Sequence, residues 1–162
     1  MGMKVGIVMG SKSDLKTMER AAQVLEQLEI EFEMRILSAH RTPKQAMEWA
    51  ENAQSRGVGV LICGAGMAAH LGGVVAAHTL LPVIGVPMNA SLGGIDALLA
   101  TVQMPPGVPV ATVGIGSAGA RNAAWLASRI LSLQDLELQQ RMKEAIANMT
   151  AKVLADDAAI QQ

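Results

Sequence analysis

Short apolar runs alternating with segments of helical periodicity constrain this chain more than any other feature. Residues 4–9 (Lys-Val-Gly-Ile-Val-Met) show little polar alternation, the mark of a strand buried on both faces. Residues 31–37 do alternate, Phe32, Met34 and Ile36 against Glu31, Glu33 and Arg35, which predicts a half-exposed strand at a sheet edge. Residues 58–63 form another buried run, and residues 82–86 and 108–115 supply the fourth and fifth strands. Between them lie helical segments. Leu15, Met18, Ala22 and Leu25 fall on one face of a helix over 15–28, with Ser13 or Asp14 as its cap. Further helices are expected over 43–56, from the 64–73 loop to about 80, over 95–102 and over 118–131. Strands alternating with helices predict an α/β fold: a doubly wound, five-stranded parallel sheet in three layers. At 162 residues the chain reads as one domain, with a core over 1–135 and a helical tail over 136–162. The tail carries Leu138, Met142, Ala145, Met149, Lys152 and Val153 in an amphipathic pattern. That stripe either packs on its own domain or meets a second copy.

Right-handed crossovers bring the C-terminal ends of the strands to one edge, where open α/β sheets bind ligands. That edge collects three polar turns. Ser38-Ala39-His40-Arg41-Thr42-Pro43 joins the second strand to a helix, with Thr42 expected as N-cap, Pro43 at the first helical position and Gln45 closing a capping box. Arg41 suits a phosphate or carboxylate, and a histidine such as His40 gives or takes a proton near neutrality. Gly10-Ser11-Lys12-Ser13-Asp14 offers amides and hydroxyls at a helix N-terminus, which favours an anion, although simple capping explains the same residues. It lacks the spacing of a nucleotide-binding P-loop. Asp14 would repel a phosphate and fits sugar hydroxyls better. Gly64-Ala65-Gly66-Met67-Ala68-Ala69 matches a dinucleotide fingerprint only formally, because it follows the third strand and Met88 and Asn89 stand where an acidic residue is expected. Its small residues suit close backbone contact with a ligand, and His70 at its far end is either a second polar contact or a structural histidine.

Several chemistries are disfavoured. A net charge of −1 and 2% aromatic residues leave neither an electrostatic footprint nor stacking platforms for nucleic acid. The single cysteine, Cys63, excludes an internal disulfide and a cysteine-rich zinc site, and its place in an apolar run marks a core thiol. His40, His70 and His78 have no metal-ligand spacing, and His78 is expected within a helix at a surface or interface. Ser117 lacks the first glycine of a hydrolase elbow, position 115 being Ile. No signal-peptide layout, myristoylation pattern or membrane-spanning run is visible, so a cytoplasmic location is expected. No metal or bound organic cofactor is expected.

Met9-Gly10-Ser11-Lys12-Ser13-Asp14, the 38–43 turn, the 64–73 loop, Leu81-Pro82-Val83-Ile84-Gly85-Val86-Pro87 and Val102-Gln103-Met104-Pro105 occur in an order and spacing that resembles the N5-carboxyaminoimidazole ribonucleotide mutase family of purine biosynthesis. The resemblance runs to about residue 135. It implies a flavodoxin-like αβα sandwich, a homo-octamer with C-terminal helices reaching neighbouring subunits, and carboxylate transfer from N5 to C4 of an aminoimidazole ribonucleotide without ATP, metal or biotin. The family's catalytic histidine falls on His40. Its ribonucleotide-binding positions fall on Ser11, Asp14 and Arg41, with Ser13 and Ser38 in the same motifs. Its closing loop falls on Gly66, Ala68, Ala69, His70 and Leu71. Two positions depart from the mutase pattern, which has Gly at Met67 and Pro at Gly72. A sister branch carboxylates aminoimidazole ribonucleotide directly with carbon dioxide and has Ser-Asn-like residues near Ala69 and His70; Ala68-Ala69-His70 resembles the mutases instead.

Overall fold

The computed structural model describes residues 2–161; Met1 and Gln162, the ends of the expected domain, lie outside them. Five parallel strands form one sheet in the order β2-β1-β3-β4-β5. They are β1 (Lys4–Met9), β2 (Phe32–Ile36), β3 (Val58–Ala65), β4 (Val83–Pro87) and β5 (Ala111–Thr112). The helices are α1 (Leu15–Gln27), α2 (Pro43–Glu51), α3 (Leu71–Ala77), α4 (Ile95–Val102), α5 (Gly116–Leu131) and α6 (Leu136–Ile160). The sheet is doubly wound, as the alternation of elements predicts, and flavodoxin-like, as the family resemblance implies. Crossing between β1 and β3 reverses the strand order, which sets the ligand edge at their C-terminal ends.

Strand periodicity sorts the apolar side chains into two layers. Val5, Ile7, Met9, Val60, Ile62, Ile84 and Val86 face a layer that includes Met18 and Leu25 of α1 and Ala120, Ala123 and Ala127 of α5. Val8, Leu61, Cys63 and Val83 face Ala46 and Trp49 of α2 and Leu71 and Val75 of α3. Each fully buried Leu, Ile or Met contributes about 1.5–3 kcal/mol relative to exposure. The alanines of α5 let that helix lie close on the sheet.

Several elements differ from the expectation. The fifth strand pairs with β4 only through Ala111 and Thr112, extended by Val113 N–H donating to the Gly85 carbonyl at 3.1 Å. Pro109 has no N–H to offer the ladder. The second helix stops at Glu51 and gives way to a short 3-10 turn, Gln54–Arg56. On the edge strand β2, Phe32 and Met34 pack on the core while Ile36 is 47% exposed. The α6 stripe divides: Leu138, Met142 and Ala145 are buried on this chain, whereas Met149 and Val153 are exposed. Asp135 caps α6 by accepting the Leu138 N–H at 2.9 Å, and Arg141 ties the helix to the end of α1 by donating to the Leu28 carbonyl at 2.9 Å.

Candidate active site

The C-terminal ends of β1, β2 and β3 carry the three polar turns. After β1, Ser11 caps a 3-10 turn, Lys12–Asp14, by accepting the Ser13 N–H at 3.3 Å. The expected capping by Ser13 or Asp14 is therefore corrected. Neither side chain caps α1, because the 3-10 turn interposes itself and takes Ser11 as its cap. The Ser13 hydroxyl instead donates to Asp14 Oδ1 at 3.2 Å. Partial burial pushes the Asp14 carboxyl above its ordinary range, and the Ser13 hydrogen bond offsets this only in part.

After β2, Ser38 and Thr42 fold onto each other. Ser38 N–H donates to Thr42 Oγ1 at 2.8 Å, and that hydroxyl donates back to the Ser38 carbonyl at 3.2 Å. The expected capping box is overturned here: Thr42 makes no side-chain cap on α2, its hydroxyl being committed to the residue four positions back. Ser38 Oγ in turn accepts the N–H groups of His40 (3.3 Å) and Arg41 (3.1 Å). Both oxygen lone pairs are thus used, and the hydroxyl proton is left as a donor. Arg41 Nη2 donates to the Gly10 carbonyl at 3.0 Å, which pins the guanidinium between β1 and β2. The sequence places Thr42 and Gly10 in these turns, but not their contacts with Ser38 and Arg41; the i, i+4 spacing of Ser38 and Thr42 is a signal for the first contact alone.

After β3, Gly66-Met67-Ala68-Ala69 makes a tight turn, closed by Ala69 N–H donating to the Gly66 carbonyl at 3.0 Å. Met67 (φ 55°) and Ala69 (φ 44°) both occupy the left-handed region, although neither is glycine. This turn delivers His70 to His40. His40 Nε2 and His70 Nδ1 are 2.7 Å apart, with the rings edge-on at 89° and centroids 4.9 Å apart. One nitrogen must donate and the other accept, so the two rings share one proton across this contact. Leu71 turns its side chain into the core, leaving only its backbone near the turn. His78 proves to be the C-cap of α3, not a residue within it, and its Nδ1 meets Glu51 Oε1 at 3.0 Å. Cys63 is fully buried, and burial pushes its thiol far up, as an inert core thiol requires.

Ser11, Ser13, Asp14, Ser38, His40, Arg41 and the 66–71 turn thus converge on one edge. His40, Arg41 and His70 are solvent-exposed there. Cavities of about 660 and 420 Å³ lie elsewhere, one around Met3, Glu29 and Arg141 at the opposite edge and one between α5 and α6. No group of three metal-ligating side chains occurs among the described residues. No helix among them is long and apolar enough to cross a membrane.

Comparison with known proteins bears directly on this arrangement. The family model described as AIR carboxylase matches residues 4–152. The chain belongs to the AIR carboxylase family. A Pyrococcus abyssi member, named N5-carboxyaminoimidazole ribonucleotide mutase, is 56% identical over 142 residues, 87% of this chain and 80% of that protein. A Bacillus subtilis protein of the same name is 52% identical over 151 residues, 93% of each chain. An Escherichia coli protein of that name is 51% identical over 152 residues, 93% of this chain and 90% of its own. In three dimensions the chain superposes on the crystal structure of Treponema denticola PurE2-S38D with a TM-score of 0.90 at 30% identity, covering 100% of both chains.

Proposed function

We propose that this chain is an N5-carboxyaminoimidazole ribonucleotide mutase of de novo purine (IMP) biosynthesis, forming 4-carboxy-5-aminoimidazole ribonucleotide. The observation that carries the mechanism is the 2.7 Å contact between His40 and His70, at the edge where the anion-binding turns meet. The mutase names of relatives more than half identical to this chain favour this reading over direct carboxylation of aminoimidazole ribonucleotide.

In the proposed reaction, Arg41 and the hydroxyls of Ser13 and Ser38 hold the phosphate, with Ser11 alongside, and Asp14 takes ribose hydroxyls. A guanidinium has five N–H donors, so Arg41 keeps several free after its bond to Gly10. His40 gives its proton to N5. The N5–carboxylate bond breaks, its electron pair stays on nitrogen, and carbon dioxide is released. The resulting aminoimidazole is an enamine: the N5 lone pair drives C4 onto carbon dioxide, and a C–C bond forms. Neutral His40 then removes the C4 proton, and the C–H electron pair restores the aromatic ring. One proton leaves His40 and one returns, so a single residue is acid and then base. His70, sharing a proton with that ring, fixes its orientation and tautomer. No step in this scheme calls for a metal or an organic cofactor.

Carbon dioxide must be held in a dry site. In the isolated chain His40 and Arg41 are exposed, so we assign closure to the 66–71 turn and to neighbouring copies in a homo-octamer. Apolar Met149, Val153 and Leu154 on the distal half of α6 are exposed and available for such contacts. A cytoplasmic location goes with a role in purine synthesis.

The test is product formation from N5-carboxyaminoimidazole ribonucleotide, without ATP or metal, in labelled bicarbonate. Unlabelled product means that the carboxylate stays in the site. Rapidly labelled product means that free carbon dioxide is the substrate, and absence of product overturns both.

A further inference from the structure

Thr42 grips both backbone polar groups of Ser38. Its Oγ1 accepts the Ser38 N–H at 2.8 Å and donates to the Ser38 carbonyl at 3.2 Å, and its own N–H reaches the same carbonyl at 2.9 Å. Residues 38–42 therefore close into a ring. Inside it, Ser38 Oγ accepts the N–H groups of His40 and Arg41. The ring is anchored at both ends: Leu37 N–H donates to the Met9 carbonyl at 2.9 Å, and the Thr42 carbonyl accepts the Ala46 N–H of α2 at 3.1 Å. The two hydroxyls divide their work. Ser38 Oγ has its lone pairs occupied by backbone and a proton to give, whereas the single Thr42 hydroxyl proton is spent on the Ser38 carbonyl. Thr42 has no side-chain donor left for a phosphate. Its contacts with Ser38 are half-buried, where water does not fully replace a lost partner.

Resting on the mutase reading, we infer that Thr42 is a positioning residue: its hydroxyl, acting through Ser38, holds His40 against His70 and sets the backbone of Arg41. It touches no reacting atom. Without the hydroxyl the Ser38 N–H loses its acceptor, the ring slackens, and the His40 imidazole leaves its 2.7 Å contact with His70. An acid–base group displaced by about 1 Å loses on the order of a hundredfold in rate. Arg41 has a second anchor, the Gly10 carbonyl at 3.0 Å, which does not pass through Thr42. Loss of the hydroxyl therefore costs kcat far more than ribonucleotide affinity.

The experiment compares the parent with Thr42→Val, Thr42→Ala and Thr42→Ser in turnover of N5-carboxyaminoimidazole ribonucleotide. In parallel, NMR of histidine-labelled protein reads the ring-carbon signals of the chain's 3 histidines. Thr42→Val, of nearly the same shape, lowers kcat about thirtyfold or more and raises KM by less than about threefold. Thr42→Ala does the same without setting a methyl group against the Ser38 N–H. Thr42→Ser keeps the hydroxyl and stays within about threefold of the parent in both constants. The His40 and His70 signals move in Thr42→Val and Thr42→Ala, while that of His78, beside Glu51 at the other end of α3, stays in place. A kcat within about threefold of an active parent for both Thr42→Val and Thr42→Ala overturns the role of Thr42 and leaves the mutase reading intact. A loss in Thr42→Ser as deep as in Thr42→Val, or movement of the His78 signal with the other two, assigns the residue to folding alone and also overturns it. No product from the parent chain overturns both readings.

Discussion

His40 Nε2 lies 2.7 Å from His70 Nδ1, so two residues thirty positions apart share one proton at the C-terminal edge of the sheet. An acid that must become a base within one turnover gains from a neighbour that fixes its ring. His40→Asn therefore abolishes turnover yet keeps ribonucleotide affinity, because Arg41 and the serines remain. His70→Asn lowers kcat by about a hundredfold and leaves KM nearly unchanged. Steady-state kinetics, paired with calorimetric titration of the carboxylated product, separates the two effects.

Asp14 makes an opposite pair of predictions for stability and binding. Burial raises its carboxyl in the folded chain above the ordinary value of 3.8. The folded form then holds the proton more tightly than the unfolded chain. Stability is lost as pH rises from 3.8 through the raised value, and the loss persists at neutral pH. Asp14→Asn raises Tm at neutral pH, and its advantage shrinks to nothing as pH falls below 3.8. The same substitution weakens ribonucleotide binding about tenfold, since it removes the charged acceptor proposed for the ribose. Melting curves across pH and a binding titration check both halves.

The convergence of the candidate residues on one edge was legible in the sequence. The three polar turns were recognisable because strands and helices alternate and their crossovers have one hand, so strand ends must gather. What the sequence did not carry is backbone choice within the turns. The meeting of His40 and His70 depends on Met67 and Ala69 adopting left-handed φ, which no propensity predicts for Met or Ala. The capping box at Thr42 failed for a related reason. A Thr hydroxyl four residues after Ser38 reaches that residue's backbone more readily than the first turn of α2. The fifth strand is shorter than residues 108–115, and Pro109, visible in the sequence, already argues for that by offering no N–H to the ladder. The α6 stripe could not reveal where its own domain ends, and only Leu138, Met142 and Ala145 find cover on it.

On the outer strand β2, Glu33 is held by a forked contact: Arg56 Nη2 donates to Oε1 at 2.7 Å and Nε to Oε2 at 3.3 Å, with Lys4 Nζ 3.7 Å away. Partial burial pushes this carboxyl up, but Arg56 and Lys4 outweigh it, and the folded value falls below the ordinary 4.5. Stability from this cluster is present above 4.5 and is lost as pH falls through the depressed value. Glu33→Gln costs about 1 kcal/mol at neutral pH, as an ion pair near the surface does. The difference from the parent disappears on acidification. Urea titrations at neutral and acidic pH read the effect directly, and added salt diminishes it.

Two glycines that look alike in the sequence should respond in opposite directions. Gly119, at the end of the first turn of α5, packs so tightly on the backbone of Gly114 that a methyl group would collide with the Gly114 carbonyl. Backbone cannot swing aside as a long side chain does, so Gly119→Ala must lift α5 from the sheet edge, at a cost of about 1–3 kcal/mol. Gly72, in the first turn of α3, has room: a Cβ there meets Val110 Cγ1 at 3.6 Å and Cys63 Cβ at 3.9 Å, ordinary contact distances. Its backbone does not lie in the left-handed region. Gly72→Ala therefore gains about 0.4–1 kcal/mol, chiefly by narrowing the unfolded ensemble. Urea unfolding of both variants decides the matter through their midpoints at constant slope. A stabilised Gly119→Ala would mean that α5 does not sit as close to the turn before it as described, and a destabilised Gly72→Ala would mean that the helix following His70 needs the freedom of glycine.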